Sequence, residues 1–238
     1  MPTLRAQQLA APVKQLISDL EALLQSEAFD PATSTILVTV AATDYALRAV
    51  VVPFLSALRK QAPNIRVAVQ AVDMSNLPIQ LEQGEVDIAL VTPEMTPLGV
   101  SSQNVFDERY VCVMRADHPD ARSPTLSLDR FCELDHVLVS PTGGSFSGVT
   151  DEALSEIHRH RRVSVSVSSF LILPELFSTS DLIAVVPERL TSANYALVVR
   201  QPPVDIPGFT KAMIWHGRTE RDDGQKWVRS VLFETCGN

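Results

Sequence analysis

The sequence predicts an α/β protein made of two lobes of β-α-β units, joined by two crossover strands and preceded by a dimerisation helix. Three observations carry that prediction. Beyond residue 35 the hydrophobic period switches repeatedly between two and 3.6. The β-type runs are apolar at successive positions, which marks parallel strands covered on both faces. The pattern then recurs in a second half, and the last strand and helix have no third core to join.

The first segment differs from the rest. Ala6, Leu9, Val13, Leu16, Leu20 and Leu23 recur at spacings of 3, 4, 3, 4 and 3. Such a stripe forms one face of an amphipathic helix and, over about three heptads, suits a short coiled-coil seam. Pro12 falls inside it, and a mid-helix proline costs roughly 3 kcal/mol, so a kink or a helix start is expected there. Residues 1–30 are assigned to this element, which runs into the linker-like SEAFDPATST (26–35), with Leu9, Val13, Leu16, Leu20 and Leu23 as the face that pairs with a second chain.

TILVTVAA (35–42) then reads as a strand, DYALRAVVVPFLSALRKQAP (44–63) as a helix, and IRVAVQAV (65–72) as a strand. MSNLPIQLEQGE (74–85) is a short helix and VDIALVT (86–92) a third strand. RYVCVMRA (109–116) is a further strand, and ADHPDARSPTLSLDRF has the composition of a crossing and a surface loop. HVLVSP (136–141), a helix from about Val149, RRVSVSVSS (161–169), FLILPELFSTS (170–180) and DLIAVVPE (181–188) repeat the rhythm. FTKAMIWHG (209–217) and QKWVRSVLFET (225–235) read as a strand and a helix that return to the first half. One lobe is therefore assigned to 31–115 with 212–238, the other to 116–211.

Bulk properties exclude several classes. A formal charge of −8 over 238 residues argues against this chain gripping nucleic acid by itself, because that needs a basic face. The best membrane candidate, AVVVPFLSAL (49–58), is bracketed by Arg48 and Arg59 and broken by Pro53. MPTLRAQQLAAPVK lacks an apolar leader core, and Cys112, Cys132 and Cys236 stand far apart. Both features suit a cytoplasmic protein with reduced thiols.

Two lobes and two crossovers make a hinge with a cleft. Ligands of open α/β sheets bind beyond the carboxyl ends of strands, where helix N-termini present unpaired N–H groups. The rule selects Thr43 and Asp44 after the first strand, and Thr92 and Pro93 after the third. In the second half it selects Ser140, Pro141, Thr142, Gly143, Gly144, Ser145 and Phe146, then Ser168, Ser169 and Phe170. Asp44 stands at a helix start, where a capping role competes with a ligand contact.

The loop SPTGGSFSG (140–148) departs from the motifs of specific chemistries. A P-loop needs lysine where Val149 stands, and a nucleophile elbow needs glycine where Ser147 stands. His158 and His160, two apart on a predicted helix, point in different directions, and His118, His136 and His216 are isolated. No metal site, cofactor or catalytic set is expected. What remains is a non-covalent pocket of loop N–H groups, hydroxyls and an aromatic wall from Phe146 or Phe170, which suits a small carboxylate or phenol with one aromatic ring, while Asp44 across the cleft opposes a strong anion.

FDPATSTILVTVAATDY, VPFLSALRKQAPNIRVAV, LEQGEVDIALVT, FDERYVCVMRADHP and SDLIAVVPERL, in that order, resemble the LysR-type transcriptional regulators through nearly the whole chain. E-x-G-E-V-D-I-A-L and the D-H-P crossing are the most characteristic pieces. SPTGGSFSGVTDEAL is similar to a subset near the regulators of nodulation and of aromatic-compound degradation. The resemblance implies a winged helix-turn-helix, a dimerising linker helix and a two-lobed effector domain of the type 2 periplasmic-binding-protein kind. Residues 1–25 match the linker helix and the remainder the effector domain. These residues contain no match to the DNA-reading segment, so DNA is expected as a partner only through such a segment. A small-molecule effector and a homodimer or homotetramer are implied, with no enzymatic activity and no membrane contact. The alternative class with the same fold is the solute-binding receptor of a transporter, and a small α/β enzyme ranks behind it.

Overall fold

The computed structural model describes Val13, residues 29–140, 143–192 and 197–237. Of the expected pairing face, Val13 is helical and exposed, while Leu9, Leu16, Leu20 and Leu23 lie outside the described residues, as do Pro141 and Thr142.

Helices between the first three apolar runs return the chain for parallel pairing. β1 (Leu37–Ala41) pairs in parallel with β2 (Arg66–Gln70) on one side and β3 (Ile88–Val91) on the other. β10 (Phe209–His216) joins the same sheet antiparallel to β3, and β4 (Val100–Glu108) pairs antiparallel with β10 at the edge. The order is β2-β1-β3-β10-β4. β3 is buried at every position, whereas β2 is an edge strand that leaves Val69 exposed. Its apolar run was expected to be covered on both faces.

The second sheet repeats the plan. β6 (Asp135–Val139) pairs in parallel with β7 (Arg162–Val167), and β5 (Tyr110–Arg115) lies antiparallel between β8 (Ala184–Pro187) and β9 (Leu197–Arg200). The amide of Val137 donates to Ile183 O at 2.9 Å and that of Ile183 to Asp135 O at 3.0 Å, which joins the two groups of strands. The continuous order β7-β6-β8-β5-β9 matches that of the first sheet. By sheet membership the chain crosses at Arg109 and returns through residues 201–208. β5 therefore belongs to the second unit, although 110–115 were expected in the first. Phe209–Lys211, expected in the second lobe, belong to β10 of the first sheet.

Each sheet has an apolar core on both faces. In the first unit, α1 (Asp44–Ala46) runs through a π-helical turn (Leu47–Val51) into α2 (Val52–Gln61). Phe54 and Leu58 pack with Val228 and Leu232 of the C-terminal helix against Val38, Val40 and Met213. α3 (Leu77–Gln83) covers the other face through Leu77 and Leu81. It ends at Gly84, whose φ of +80° is left-handed and where a Cβ would lie 2.7 Å from the Arg218 guanidinium. Asp87 then accepts from Thr39 N (2.9 Å) and Arg218 Nη2 (3.3 Å), so the glycine and aspartate of LEQGEVD tie strands together.

Three elements were not anticipated. α4 (Leu128–Glu133), inside the expected loop, is capped by Ser127 Oγ and anchored by fully buried Phe131. Six residues are too few to display a helical stripe. β4 carries the polar stretch Ser101–Asn104 on the sheet edge, and β9 has only four residues. α5 (Val149–Glu156) ends before His158 and His160, so neither sits on the predicted helix. α6 (Leu173–Thr179) follows a 3-10 turn at Phe170–Ile172, and α7 (Asp223–Cys236) closes the chain. His118 accepts Asp120 N on Nδ1 (3.0 Å) and its Nε2 meets Asp181 O at 3.1 Å, so the D-H-P histidine fastens a turn.

Candidate functional site

The carboxyl ends of β1, β3 and β6 face one another across the hinge and enclose a cleft of about 420 Å³. It continues past Thr43, Asp44, Thr92 and Lys211 into a groove of about 520 Å³. Both volumes lie in the range of small-molecule sites.

On the first unit's side Thr43 is the helix N-cap, with Oγ1 accepting from Ala46 N at 3.3 Å. Asp44 is not that cap. One carboxylate oxygen accepts from Tyr45 N at 2.7 Å, and the other reaches across the cleft to accept Phe170 N at 2.6 Å. It thus forms a direct bond between the lobes. Thr92 lines both spaces, whereas Pro93 begins a short 3-10 turn outside the lining.

The second unit supplies Ser140, Ser147 and Gly148–Thr150 to the cleft, and Ser168 and Ser169 to the adjoining groove. Gly143, Gly144, Ser145 and Phe146 fall outside both linings. Gly143 (φ +75°) and Gly144 (φ +73°) are consecutive left-handed residues, and an added Cβ on either would meet nothing within 4 Å. They turn the loop tip outward. Ser145 Oγ donates to Ser147 O (2.7 Å), and Phe146 is 59% exposed. The aromatic wall comes instead from Phe170, Tyr45, Tyr110 and Phe209. Tyr45 packs edge-on to Phe209 with centroids 5.5 Å apart, and Tyr110 lies 5.7 Å from the same ring.

The hinge end is buried and polar. Glu108 accepts from Tyr45 Oη at 2.6 Å, from Arg109 N at 3.0 Å and from Arg189 N at 3.4 Å. Burial, and then Glu108, raise the Tyr45 phenol far above its usual range, which keeps it a donor. Gly208 on the returning crossover sits where a Cβ would be 2.2 Å from Glu108 O, so the two crossings touch through backbone.

Among the buried cations, Arg161 of the second lobe and Lys211 of the cleft differ in their partners. Arg161 is held on both carboxylate oxygens of Asp151 (2.9 and 2.8 Å), and its Nη1 lies 3.3 Å from His136 Nδ1. His136 Nε2 donates to Phe131 O at 2.7 Å, and burial pushes its imidazole down to about 4, leaving it neutral. Asp151 also accepts Gly148 N at 2.9 Å, so this network fixes the start of α5. Lys211 has no comparable partner. It stands in the stripe Phe209, Lys211, Met213, Trp215 on one face of β10, only 5% exposed. Its ammonium lies 5.5 Å from the Tyr45 ring centroid and 5.7 Å from that of Phe209. Burial pushes the amine down to about 8, and no ion pair or hydrogen bond of Lys211 is found among the described residues.

Reasoning from strand ends missed Lys211, Tyr45, Tyr110 and Phe209. The signal for Lys211 was present as a charge in phase with three large apolar residues of FTKAMIWH.

Residues 35–237 match the family model described as the LysR substrate binding domain. The chain is similar to the HTH-type transcriptional activator NagR of Ralstonia sp., with 34% identity covering 98% of this chain and 78% of that protein. It is also similar to the HTH-type transcriptional activator NahR of Pseudomonas putida, at 31% identity over 98% of this chain and 78% of the relative. Among solved structures, the regulatory domain of MexT, a transcriptional activator in Pseudomonas aeruginosa, superposes with a TM-score of 0.72 and 29% identity. That match covers 86% of this chain and all of the other, 100%.

Proposed function

Because the chain belongs to the LysR family of transcriptional regulators, through its match to the family's substrate-binding domain, we propose that its interlobe cleft is the effector site. A small molecule held between Thr43 and Thr92 on one side and Ser140, Gly148–Thr150 and Ser168–Phe170 on the other changes the angle between the two sheets. The observation that carries this reading is a space open to both lobes and bridged at its wall by a direct bond from Phe170 N to Asp44. A ligand that contacts both walls binds one lobe angle better than another, and it shifts the equilibrium by that difference, typically about 1–3 kcal/mol.

LysR regulators bind small-molecule effectors and DNA and form oligomers. The finer reading for this chain is a dimer paired through the Leu9–Leu23 stripe, acting in the cytoplasm. None of the helices among the described residues is long and apolar enough to cross a membrane. Sedimentation of a chain beginning at Pro31 is expected to show weaker association than the full chain, and equal association overturns the pairing role.

The effector site is tested by thermal-shift screening of small organic acids, amides and amines, followed by calorimetry. Ser168→Leu and Thr92→Leu each add bulk to the lining. Both are expected to weaken binding about tenfold, equivalent to about 1.4 kcal/mol, while leaving the unliganded melting temperature nearly unchanged. Affinity untouched in both variants places the effector elsewhere.

A further inference from the structure

Asp44 and Lys211 line both the cleft and the groove beside it, and they are the charged residues of that lining, one of each sign. The lining therefore carries no formal surplus of charge. The two residues differ in how they are held. The Asp44 carboxylate accepts from Tyr45 N on one oxygen and from Phe170 N on the other. Glu108, at the hinge end, is engaged by Tyr45 Oη and two backbone amides. The Lys211 side chain, only 5% exposed, makes no ion pair or hydrogen bond among the described residues.

An amine in this position differs chemically from one in water. Withdrawal from solvent disfavours the ammonium and pushes it down to about 8. About a tenth of the amine is then neutral at pH 7, against less than about one part in a thousand for a lysine titrating at 10.5. A neutral amine is a nucleophile, and desolvation is one of the ways in which proteins activate lysine towards carbonyl compounds. The Tyr45 and Phe209 ring centroids lie 5.5 and 5.7 Å from Nζ and offer flat apolar surface beside it. Spaces of about 420 and 520 Å³ meet at this residue, which is room for a single-ring molecule.

We propose that Lys211 is a covalent capture site, where Nζ forms a reversible imine with small aldehydes, those carrying one aromatic ring above all. The ammonium first gives one proton to solvent. The freed lone pair forms a bond to the carbonyl carbon while the C=O π electrons move onto oxygen. That oxygen takes one proton from the nitrogen and one from solvent and leaves as water. The nitrogen lone pair then closes the C=N bond, giving a protonated imine. Its charge equals that of the starting ammonium, so the balance with Asp44 is kept and no oxidant or reductant is consumed. Asp44, in the same lining, stabilises the cationic imine, and the aromatic side chains receive the ring. The proposal requires that the space admit the aldehyde, not that the space be the effector site.

The test is reductive trapping of the full chain at pH 7 with benzaldehyde and cyanoborohydride, followed by peptide mapping. Reduction fixes each imine as a benzyl amine, and the exposed Lys60 and Lys226 serve as internal references. Lys211 is expected to be labelled at least about tenfold faster than either. Without the reductant, dilution is expected to return the unmodified mass. Lys211→Met is expected to lose the fast adduct and keep the slow ones, and its melting curve establishes that it folds. Labelling of Lys211 no faster than that of Lys60 and Lys226 overturns the proposal, as does a fast adduct that survives Lys211→Met. The thermal-shift screen decides the effector reading separately. A chain stabilised by a screened compound but not trapped at Lys211 keeps the cleft and loses the imine.

Discussion

The two lobes share one strand plan, β2-β1-β3-β10-β4 in the first and β7-β6-β8-β5-β9 in the second, yet they use buried charge in opposite ways. In the second lobe Arg161 is saturated by Asp151 and His136, and the set serves to hold α5 in place. In the first lobe Lys211 sits at similar depth, with the rings of Tyr45 and Phe209 at 5.5 and 5.7 Å and no ion pair or hydrogen bond among the described residues. A buried charge with its partners already in place belongs to the scaffold. One without them points to a ligand. The lobes therefore differ at the cleft: the second offers a rigid helix terminus, and the first a buried cation without a direct ion pair among the described residues, with the Asp44 carboxylate in the same lining.

That contrast predicts opposite signs for two similar deletions. Arg161→Met strips Asp151 of its partner, and breaking a buried pair from one side typically costs about 3–5 kcal/mol. Chemical denaturation should show a loss of that order, and a loss under 1 kcal/mol would remove the scaffold role. Lys211→Met should instead stabilise the empty protein near pH 7. An amine lowered from 10.5 to about 8 disfavours folding by roughly 3 kcal/mol while it is charged. A destabilised Lys211→Met would erase the contrast.

The pH dependence sharpens the same point. The folded amine titrates near 8, below its unfolded value of 10.5. Between those values the unfolded chain holds more protons, so this group makes stability rise with pH across that window. The thiols Cys112 and Cys236, pushed up to about 12 and about 11 by burial, act in the opposite direction. The wild type minus Lys211→Met difference cancels them, and it should shrink from pH 8 to 10.5. A flat difference contradicts the desolvated lysine.

Smaller effects are expected where the lobes touch. Gly208→Ala drives a methyl into Glu108 O, and an overpacked contact of this kind costs about 1–3 kcal/mol. Melting should fall accordingly, and an unchanged midpoint would mean the crossings are free to separate. Asp44→Ala removes the bond to Phe170 N and is expected to cost about 1 kcal/mol. Small-angle scattering should register a wider lobe angle in that variant, and an unaltered profile would show that Asp44 does not hold the lobes together.

The fold was legible where burial shaped the sequence. β1, β3, β5 and β8 read as strands because they are central and apolar. β4 and α4 were not legible, since a sheet-edge strand tolerates Ser101–Asn104 and six residues show no period. Part of the candidate lining followed from the strand-end rule, which named Thr43, Asp44, Thr92, Ser140, Ser168, Ser169 and Phe170. It missed Lys211 and Tyr110 for a topological reason. β10 and β5 run antiparallel to β3 and β8, so their first residues, not their last, arrive at the cleft. The glycine loop was misplaced in part, because two left-handed glycines turn its tip away while its flanks stay in the wall.

The central claim is that one ligand touches both lobes through these particular walls. Hydrogen–deuterium exchange of the full chain, with and without saturating benzoate, tests it most directly. The account predicts slowed exchange at Thr43–Tyr45 and around Lys211 in the first lobe, together with Gly148–Asp151 in the second, and little change at Gly143–Phe146. Protection confined to a single lobe, or centred on the Gly143–Phe146 tip, would contradict it.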